Sequence, residues 1–322
     1  MNEFGFIRAL LAPLAAREKG ALALADDAAI VKVPGGQELV ITKYAIAEGV
    51  HFIGDEPPHL IARKLLRVNL SDLAAMGASP HAYFLALMLP STVDETWLQS
   101  FAEGLRTDQQ IYGMSLMGGD TTRTHGALSL SVTALGFVPA GSALLRSGAR
   151  PGDDIYVSGT IGDAALGLQA ARGTLQVAPS ERNTLLERYR LPEPRIKLGV
   201  ALRSIATACI DISDGLAQDL GHICNASGVH ADIHWHSIPL SDAAQSALPF
   251  MDKPHDAILA GGDDYELLFT VSPRVAAKLE AIAKVADTRM TRIGRVSEGR
   301  GVRVLDAEGK ETVLSYKGYQ HF

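Results

Sequence analysis

Eight aspartates set the chemical character of this sequence: Asp26 and Asp27, Asp72, Asp120, Asp211 and Asp214, Asp263 and Asp264. Most follow short apolar runs that read as strands, and strand ends are where soluble domains place functional groups. Aspartate also favours turns and helix N-caps, and for any one of the eight that is the more frequent role. Asp72 resists it. In "PHLIARKLLRVNLSDLAAM" the apolar stripe runs Ile61, Leu65, Val68 and then position 72, so the carboxylate is expected on the face meant for the core. An unpaired buried carboxylate is costly and tends to protonate. Two readings relieve the cost. One is a bound cation; the other is an internal hydrogen bond to a backbone group or to a basic side chain such as Arg123. Oxygen donors without histidine or cysteine clusters suit magnesium or calcium, not zinc.

Other segments add to the acidic set. "IDISDG" is expected to place Asp211 at a strand end and Ser213 at a helix N-cap, ahead of Leu216, Leu220 and Ile223 at helical spacing. A helix N-terminus attracts phosphate, and spaced carboxylates suit the magnesium ions that accompany phosphates. Asp214 reads equally well as an ordinary charge at a helix start. "GGDTTR" (118–123) offers glycines for close backbone approach, then Asp120, two hydroxyls and an arginine, while Arg146 and Arg150 add cations. The Walker pattern and the kinase-type glycine-rich loop are both absent. If the chain handles ATP, carboxylates and metal ions do the holding.

These residues need elements to carry them. Apolar runs at 28–33 and 38–42, joined by Pro34-Gly35-Gly36, predict a hairpin. Helices are expected over 58–76 and 94–112, with a buried strand over 82–89 stopped by Pro90. "MSLMGGDTT" and "ALSLSVTALGFV" read as strand, turn, strand; "DIYVSG" and "TACID" read as strands feeding helices. In "AILAGGDDYELLFTV" a glycine-aspartate turn separates two apolar runs. Phe4, Ile7, Leu11 and Leu14 sit at helical spacing and mark an amphipathic N-terminal helix, not a signal peptide.

At 322 residues the chain exceeds what one core usually serves, so two domains are expected. The turn-rich "LRSGARPGDD" marks the boundary, giving domains over 1–145 and 146–322. Apolar residues make up 47% and charged residues 20%, an ordinary globular composition. The net charge of −6 offers no general attraction to nucleic acid or an anionic membrane, and no apolar run is long enough to span a bilayer. Cys209 and Cys224 lack metal-ligand spacing and read as buried thiols of a cytoplasmic protein.

Taken together, "ADDAAIV", "EGVHF", "VNLSDLAAMGASP", "MGGDTTR", "LRSGARPGD", "SGTIGDAALGL", "IDISDGLAQDLGHI", "GGDDYELLF" and "YKGYQHF" resemble thiamine-monophosphate kinase, in order and over essentially the whole chain. The resemblance implies the transfer of phosphate from ATP to thiamine monophosphate, with several Mg2+ ions and no protein base. It implies a two-domain α+β fold of the aminoimidazole-ribonucleotide-synthetase type, with ATP, metal and dimer contacts in the first domain. The second domain would contribute to the nucleotide and substrate site, and a homodimer would form through the N-terminal sheets. Asp27, Thr42, Asp72, Asp120, Asp211 and Asp214 would be magnesium ligands. Tyr112, Gly119, Asp120, Arg146 and Ser213 would contact ATP; His51, Asp263 and Tyr316 would face thiamine monophosphate. A carboxylate and an aromatic ring suit the thiazolium cation and the flat pyrimidine.

Three positions depart from the family pattern. Ala25 stands where a glycine is usual, at a cost of roughly 1 kcal/mol or more if that backbone needs positive φ. In "ITKYAIAEGVHF", Lys43 and Tyr44 follow Thr42 where the usual segment continues to an aspartate at 44. A neutral phenol is a poor magnesium ligand, and Lys43 is a candidate replacement cation near phosphate. Loss of one metal carboxylate is worth on the order of 10²–10³-fold in rate. The alternative is therefore a catalytically weakened relative that binds nucleotide or thiamine phosphate. Another ATP-dependent enzyme of the superfamily is disfavoured by the tail motif and by the absence of cysteine before position 209.

Overall fold

The structure, a computed structural model, describes residues 3–316, 318 and 319. Of the tail motif, Lys317 and Gln320, His321 and Phe322 lie outside the described residues, as does the side chain of Phe4 from the N-terminal stripe. The chain divides into two compact units, residues 1–73 with 78–141 and residues 74–77 with 142–322.

In unit 1 the N-terminal helix is built from α1 (Glu3–Phe6), a π-helical turn (Ile7–Leu11) and α2 (Ala12–Ala15), which buries Leu11 and Leu14. Strands β1 (Gln37–Ala47), β2 (Ser79–Leu89), β3 (Ser115–Arg123) and β4 (Ser129–Pro139) form a sheet of order β1-β4-β2-β3. Helix α3 (Pro58–Ala75) lies between β1 and β2 in sequence. Leu65, Leu66, Val68, Leu70 and Leu73 on it are fully buried, as is Asn69. A helix buried around most of its circumference belongs to a core and not to a surface. Helix α4 (Glu95–Tyr112) starts where Asp94 accepts the Trp97 N–H at 2.8 Å and stops at left-handed Gly113.

The hairpin expected from 28–33 and 38–42 does not form. Residues 28–33 are not a strand, and the Ile30 N–H donates to the Gly20 carbonyl at 2.8 Å. β1 instead pairs antiparallel with β4 along its whole length, from Gln37 opposite Pro139 to Ala47 opposite Ser129. Pairing with β4 leaves the other edge of β1 open, so the hairpin is lost through the 28–33 segment itself, whose backbone bonds back to Gly20. The strand expected over "MSLMGGDTT" forms, glycines included. Gly118, Gly119 and Asp120 run inside β3, parallel to Phe84, Leu85 and Ala86 of β2, past a register shift at Tyr83 and Phe84.

Unit 2 carries a six-stranded sheet of order β10-β7-β9-β5-β8-β6. Its strands are β5 (Asp154–Ser158), β6 (Ala206–Asp211), β7 (His230–His234), β8 (Leu267–Val271), β9 (Met290–Ser297) and β10 (Gly301–Leu305). The helices are α5 (Asp163–Ala171), α6 (Pro179–Arg190), α7 (Ile196–Leu202), α8 (Leu216–Ser227), α9 (Asp242–Ala247), α10 (Pro254–Leu259) and α11 (Leu279–Ala286). Every residue of β8 is buried. Its Leu268 joins one apolar cluster with Ile210 and Leu220, while Leu267, Phe269 and Val271 join another with Cys209 and Leu198. Alternation along the strand thus feeds a core on each face, as expected for a sheet covered on both sides. Among the described residues no helix is long and apolar enough to cross a membrane.

Candidate functional site

Unit 1 holds a cavity of about 510 Å³ whose lining includes Asp26, Asp27, Gly118, Gly119, Asp120 and Phe84. β3 is an edge strand, so it can present backbone as well as side chains to this space. A Cβ on Gly119 would overlap the Leu85 carbonyl oxygen, which is why this position needs glycine. Ala25 has φ −110°, so alanine in place of the usual glycine carries no strain there. Left-handed backbone falls instead on Leu22, Ala23 and Leu24, an arrangement that costs energy and tends to persist at functional segments.

Asp72 is half-buried and not sunk in the core. The stripe of Ile61, Leu65 and Val68 is buried as expected, and only its fourth position, the Asp72 carboxylate, stays half-buried. Its Oδ2 accepts the Thr42 hydroxyl at 2.5 Å, linking α3 to β1. Arg123 is no partner of Asp72; it donates to the Pro90 carbonyl at 3.2 Å. Tyr44 lies two residues from Thr42, on the same strand face, with its ring edge-on to His51 at 5.8 Å between centroids. His51 Nδ1 accepts the Ala47 N–H at 3.2 Å. Lys43 is exposed and points to the opposite face, away from Thr42. It is therefore not the replacement cation the sequence suggested for that side of the sheet. Tyr112 sits under the Arg67 guanidinium, 5.7 Å from ring centroid to Cζ, and is not in the cavity lining. Arg67 is itself paired with buried Asp108 at 2.7 Å.

In unit 2 the segment "IDISDG" leaves β6 with Asp211 buried at the strand end. Ser213 is not the N-cap of α8. Gly215 is, at φ 129°, and it has no side chain to offer. The exposed N–H groups are satisfied from inside the helix. Oδ2 of Asp219, 2% exposed, accepts the N–H groups of Ser213, Asp214 and Gly215, each at 3.1 Å. Burial, then the nearby Asp211 and Asp214, push the Asp219 carboxyl up to about 8, although the loop N–H groups pull the other way. Among the described residues, Asp214, Asp219 and His222 form the single group of three such side chains whose ligand atoms all lie within 4.8 Å. Asp27, Asp72 and Asp120 do not converge in that way. Sequence reasoning missed Asp219, whose only signal was an acidic residue one turn into the helix.

The "GGDDYE" segment closes on the same loop. The Asp263 N–H donates to the Ser213 carbonyl at 2.9 Å and the Tyr265 N–H to the Ile212 carbonyl at 2.8 Å. Asp263 and Tyr265 both hold left-handed backbone, and the Tyr265 hydroxyl donates to Asp263 Oδ1 at 3.2 Å. Asp264 turns inward and accepts the N–H groups of Gly162 and Ala164 at the start of α5. Glu266 accepts from Arg195 and from Ser158. Arg146 is exposed, on a segment pinned by Ser227, whose hydroxyl oxygen accepts the Gly148 and Ala149 N–H groups at 3.1 and 3.2 Å.

Tyr316, 51% exposed, borders a second cavity of about 610 Å³ with Phe250, Lys253 and Asp256. Asp263 is not in that lining. Asp256 accepts the Ser315 N–H at 2.9 Å, and burial and Asp256 together raise the Tyr316 phenol above its ordinary value.

Residues 25–138 match the AIR synthase related protein N-terminal domain, and residues 150–307 match its C-terminal domain. A thiamine-monophosphate kinase of Caulobacter vibrioides is 44% identical over 99% of this chain and 91% of its own length. A crystal structure of thiamine-monophosphate kinase from Stenotrophomonas maltophilia superposes with a TM-score of 0.82 at 43% identity, covering 89% of this chain and 90% of that one. AaThiL complexed with AMPPCP and TMP superposes with a TM-score of 0.79 at 32% identity, covering 99% and 97%.

Proposed function

The chain belongs to the thiamine-monophosphate kinases of the AIR synthase related family, and on that premise we propose that it moves the γ-phosphoryl group of ATP directly, in line, to the phosphate of thiamine monophosphate. The products are thiamine diphosphate and ADP. The single observation that carries this reading is the acidic cavity of unit 1, where Asp27 and Asp120 share a lining with Gly118 and Gly119.

The chemistry asks little of a protein base. A phosphate monoester carries its second negative charge above about pH 6, so the acceptor oxygen is already a nucleophile near neutrality. What remains is to orient two anions and offset their repulsion. Asp27, Asp120 and Asp72 with Thr42 in unit 1, and Asp211 and Asp214 in unit 2, are oxygen donors that fit magnesium and would hold it. Bound magnesium supplies charge neutralisation and orientation of the phosphates. Gly119 lets the β3 backbone approach the nucleotide, and Arg146 and Ser213 contribute a cation and a hydroxyl. His51, Asp263 and Tyr316 would face thiamine monophosphate. We also assign a homodimer built on the unit 1 sheet. β1 is an edge strand whose Ile41 is 60% exposed, and its Lys43 and Ala45 are exposed on the same face, surface that a second copy would cover.

A second reading, a weakened relative that binds but turns over slowly, is favoured by one observation. Tyr44 occupies the expected ligand position, with its ring against His51. Thiamine diphosphate formation from ATP, Mg2+ and thiamine monophosphate separates the two. The first reading expects turnover that falls at least tenfold in Asp120→Asn. Binding of both substrates without turnover establishes the second.

A further inference from the structure

Asp219 is buried on the first turn of α8 and has no part in the chemistry above. One of its oxygens takes three consecutive N–H groups, those of Ser213, Asp214 and Gly215. The carbonyls of the same segment are taken from elsewhere: Ile212 by Tyr265, Ser213 by Asp263 and Asp214 by the Tyr319 N–H at 2.9 Å. The loop is thus tied on both sides of its backbone, and its donor side rests on one side chain. The side chains of Ser213 and Asp214 are left half-buried, with Asp214 Oδ2 also accepting from Gln218 at 3.0 Å. The oxygen that accepts three hydrogen bonds is committed to the loop, and only the other carboxylate oxygen could face the Asp214 and His222 side chains.

We propose that Asp219 is a positioning residue for the nucleotide-handling loop, acting through hydrogen-bond geometry and not as a metal ligand. The inference rests on the kinase reading for its consequence but not for its structural content. If Asp219 acts by geometry, a neutral isostere serves and a longer carboxylate does not. Asparagine presents an oxygen at the same distance from the helix; glutamate keeps the charge and moves the oxygen by more than 1 Å. A shift of that size is worth up to about 10²-fold in rate.

The test compares Asp219→Asn and Asp219→Glu in the full chain, with Asp219→Ala as a third variant if it folds. Expected for Asn are kcat and the KM for Mg-ATP within about threefold of wild type. Expected for Glu is a rise of about tenfold or more in the KM for Mg-ATP or an equal fall in kcat, with the KM for thiamine monophosphate moving less than twofold. Hydrogen exchange at the amides of residues 213–215 should rise in Glu and not in Asn, a readout that needs no turnover. The opposite order, with Glu near wild type and Asn crippled, overturns the proposal, because charge or coordination would then be the operative property. Wild-type behaviour in both Glu and Ala overturns it as well. An inactive wild type with the expected exchange pattern removes the kinase reading and leaves the geometric role standing.

Discussion

Replacing Tyr44 by aspartate restores the carboxylate that the family pattern has at this position, and the structure allows its effect to be worked out. Tyr44 is half-buried and edge-on to His51. Removing the ring forfeits about 0.5–1.5 kcal/mol of aromatic contact and about 1 kcal/mol of partial burial. The new carboxylate stands on the same strand face as Thr42, whose hydroxyl is held by Asp72. Two residues along a strand are about 7 Å apart. With the Asp72 carboxylate against Thr42, a separation of about 7 Å from a carboxylate at 44 would give a repulsion of about 2 kcal/mol at an effective dielectric of 20. Tyr44→Asp should therefore lose about 3–5 kcal/mol of stability in chelator-treated protein. Magnesium should return much of that loss, because a cation converts the repulsion into ligation. The assay is thermal unfolding with EDTA and with Mg2+, alongside turnover with ATP and thiamine monophosphate. The expected pattern is a Tm gain from Mg2+ that is several degrees larger in the variant than in wild type, with equal or higher kcat. An equal Mg2+ response in both proteins would refute the placement of position 44 at a metal site. Equal, rapid turnover in both would show that a carboxylate there is dispensable.

Two further outcomes follow from other parts of unit 2. Burial holds the Asp264 carboxyl well above its usual range, with Asp163 and Glu266 adding to the rise and the Gly162 and Ala164 N–H groups opposing it. A raised carboxyl binds its proton more tightly in the folded state, so its stabilising contribution is full below the unfolded value near 4 and is lost as pH rises through the folded one. Asp264→Asn removes the titration but keeps only one acceptor contact, because Gly162 and Ala164 donate to different oxygens. Its Tm should be lower overall, and calorimetry should show a smaller fall in Tm from pH 5 to pH 8 than in wild type. An unchanged fall would refute this. Phe250 is 72% exposed in the cavity that Tyr316 borders. If thiamine rings lie there, Phe250→Ala should raise the KM for thiamine monophosphate by about three- to tenfold, the worth of one aromatic contact. The KM for ATP and the Tm should hold; an unchanged KM for both substrates would clear the cavity of that role.

Local order was largely legible in the sequence. Helix α3 begins at the Pro58 that suits a first turn, α4 runs from the Asp94 cap to Gly113, and β2 ends at Pro90. These signals are chemical and short-range, since a cap, a missing N–H or a left-handed glycine acts on its own turn. The error fell where backbone outside the local segment decided the matter. Residues 28–33 have strand composition, but the Ile30 N–H is taken by the Gly20 carbonyl, and β1 pairs only with β4, about ninety residues on.

The candidate site divides along the same line. The sequence alone determined which residues are chemically able: oxygen-only acids, glycines beside them, an arginine and few thiols. It also determined the family, because the motifs run in order through the chain. Only the tertiary structure decided what each side chain is engaged with. It gave Asp72 to Thr42, turned Lys43 to the far face of its strand, freed Ala25 from strain and made Asp219, not Ser213, the support of the α8 start. Residue type sets what a group can donate or accept. Which partner it meets depends on register and on backbone brought from far along the chain, and no local pattern encodes that.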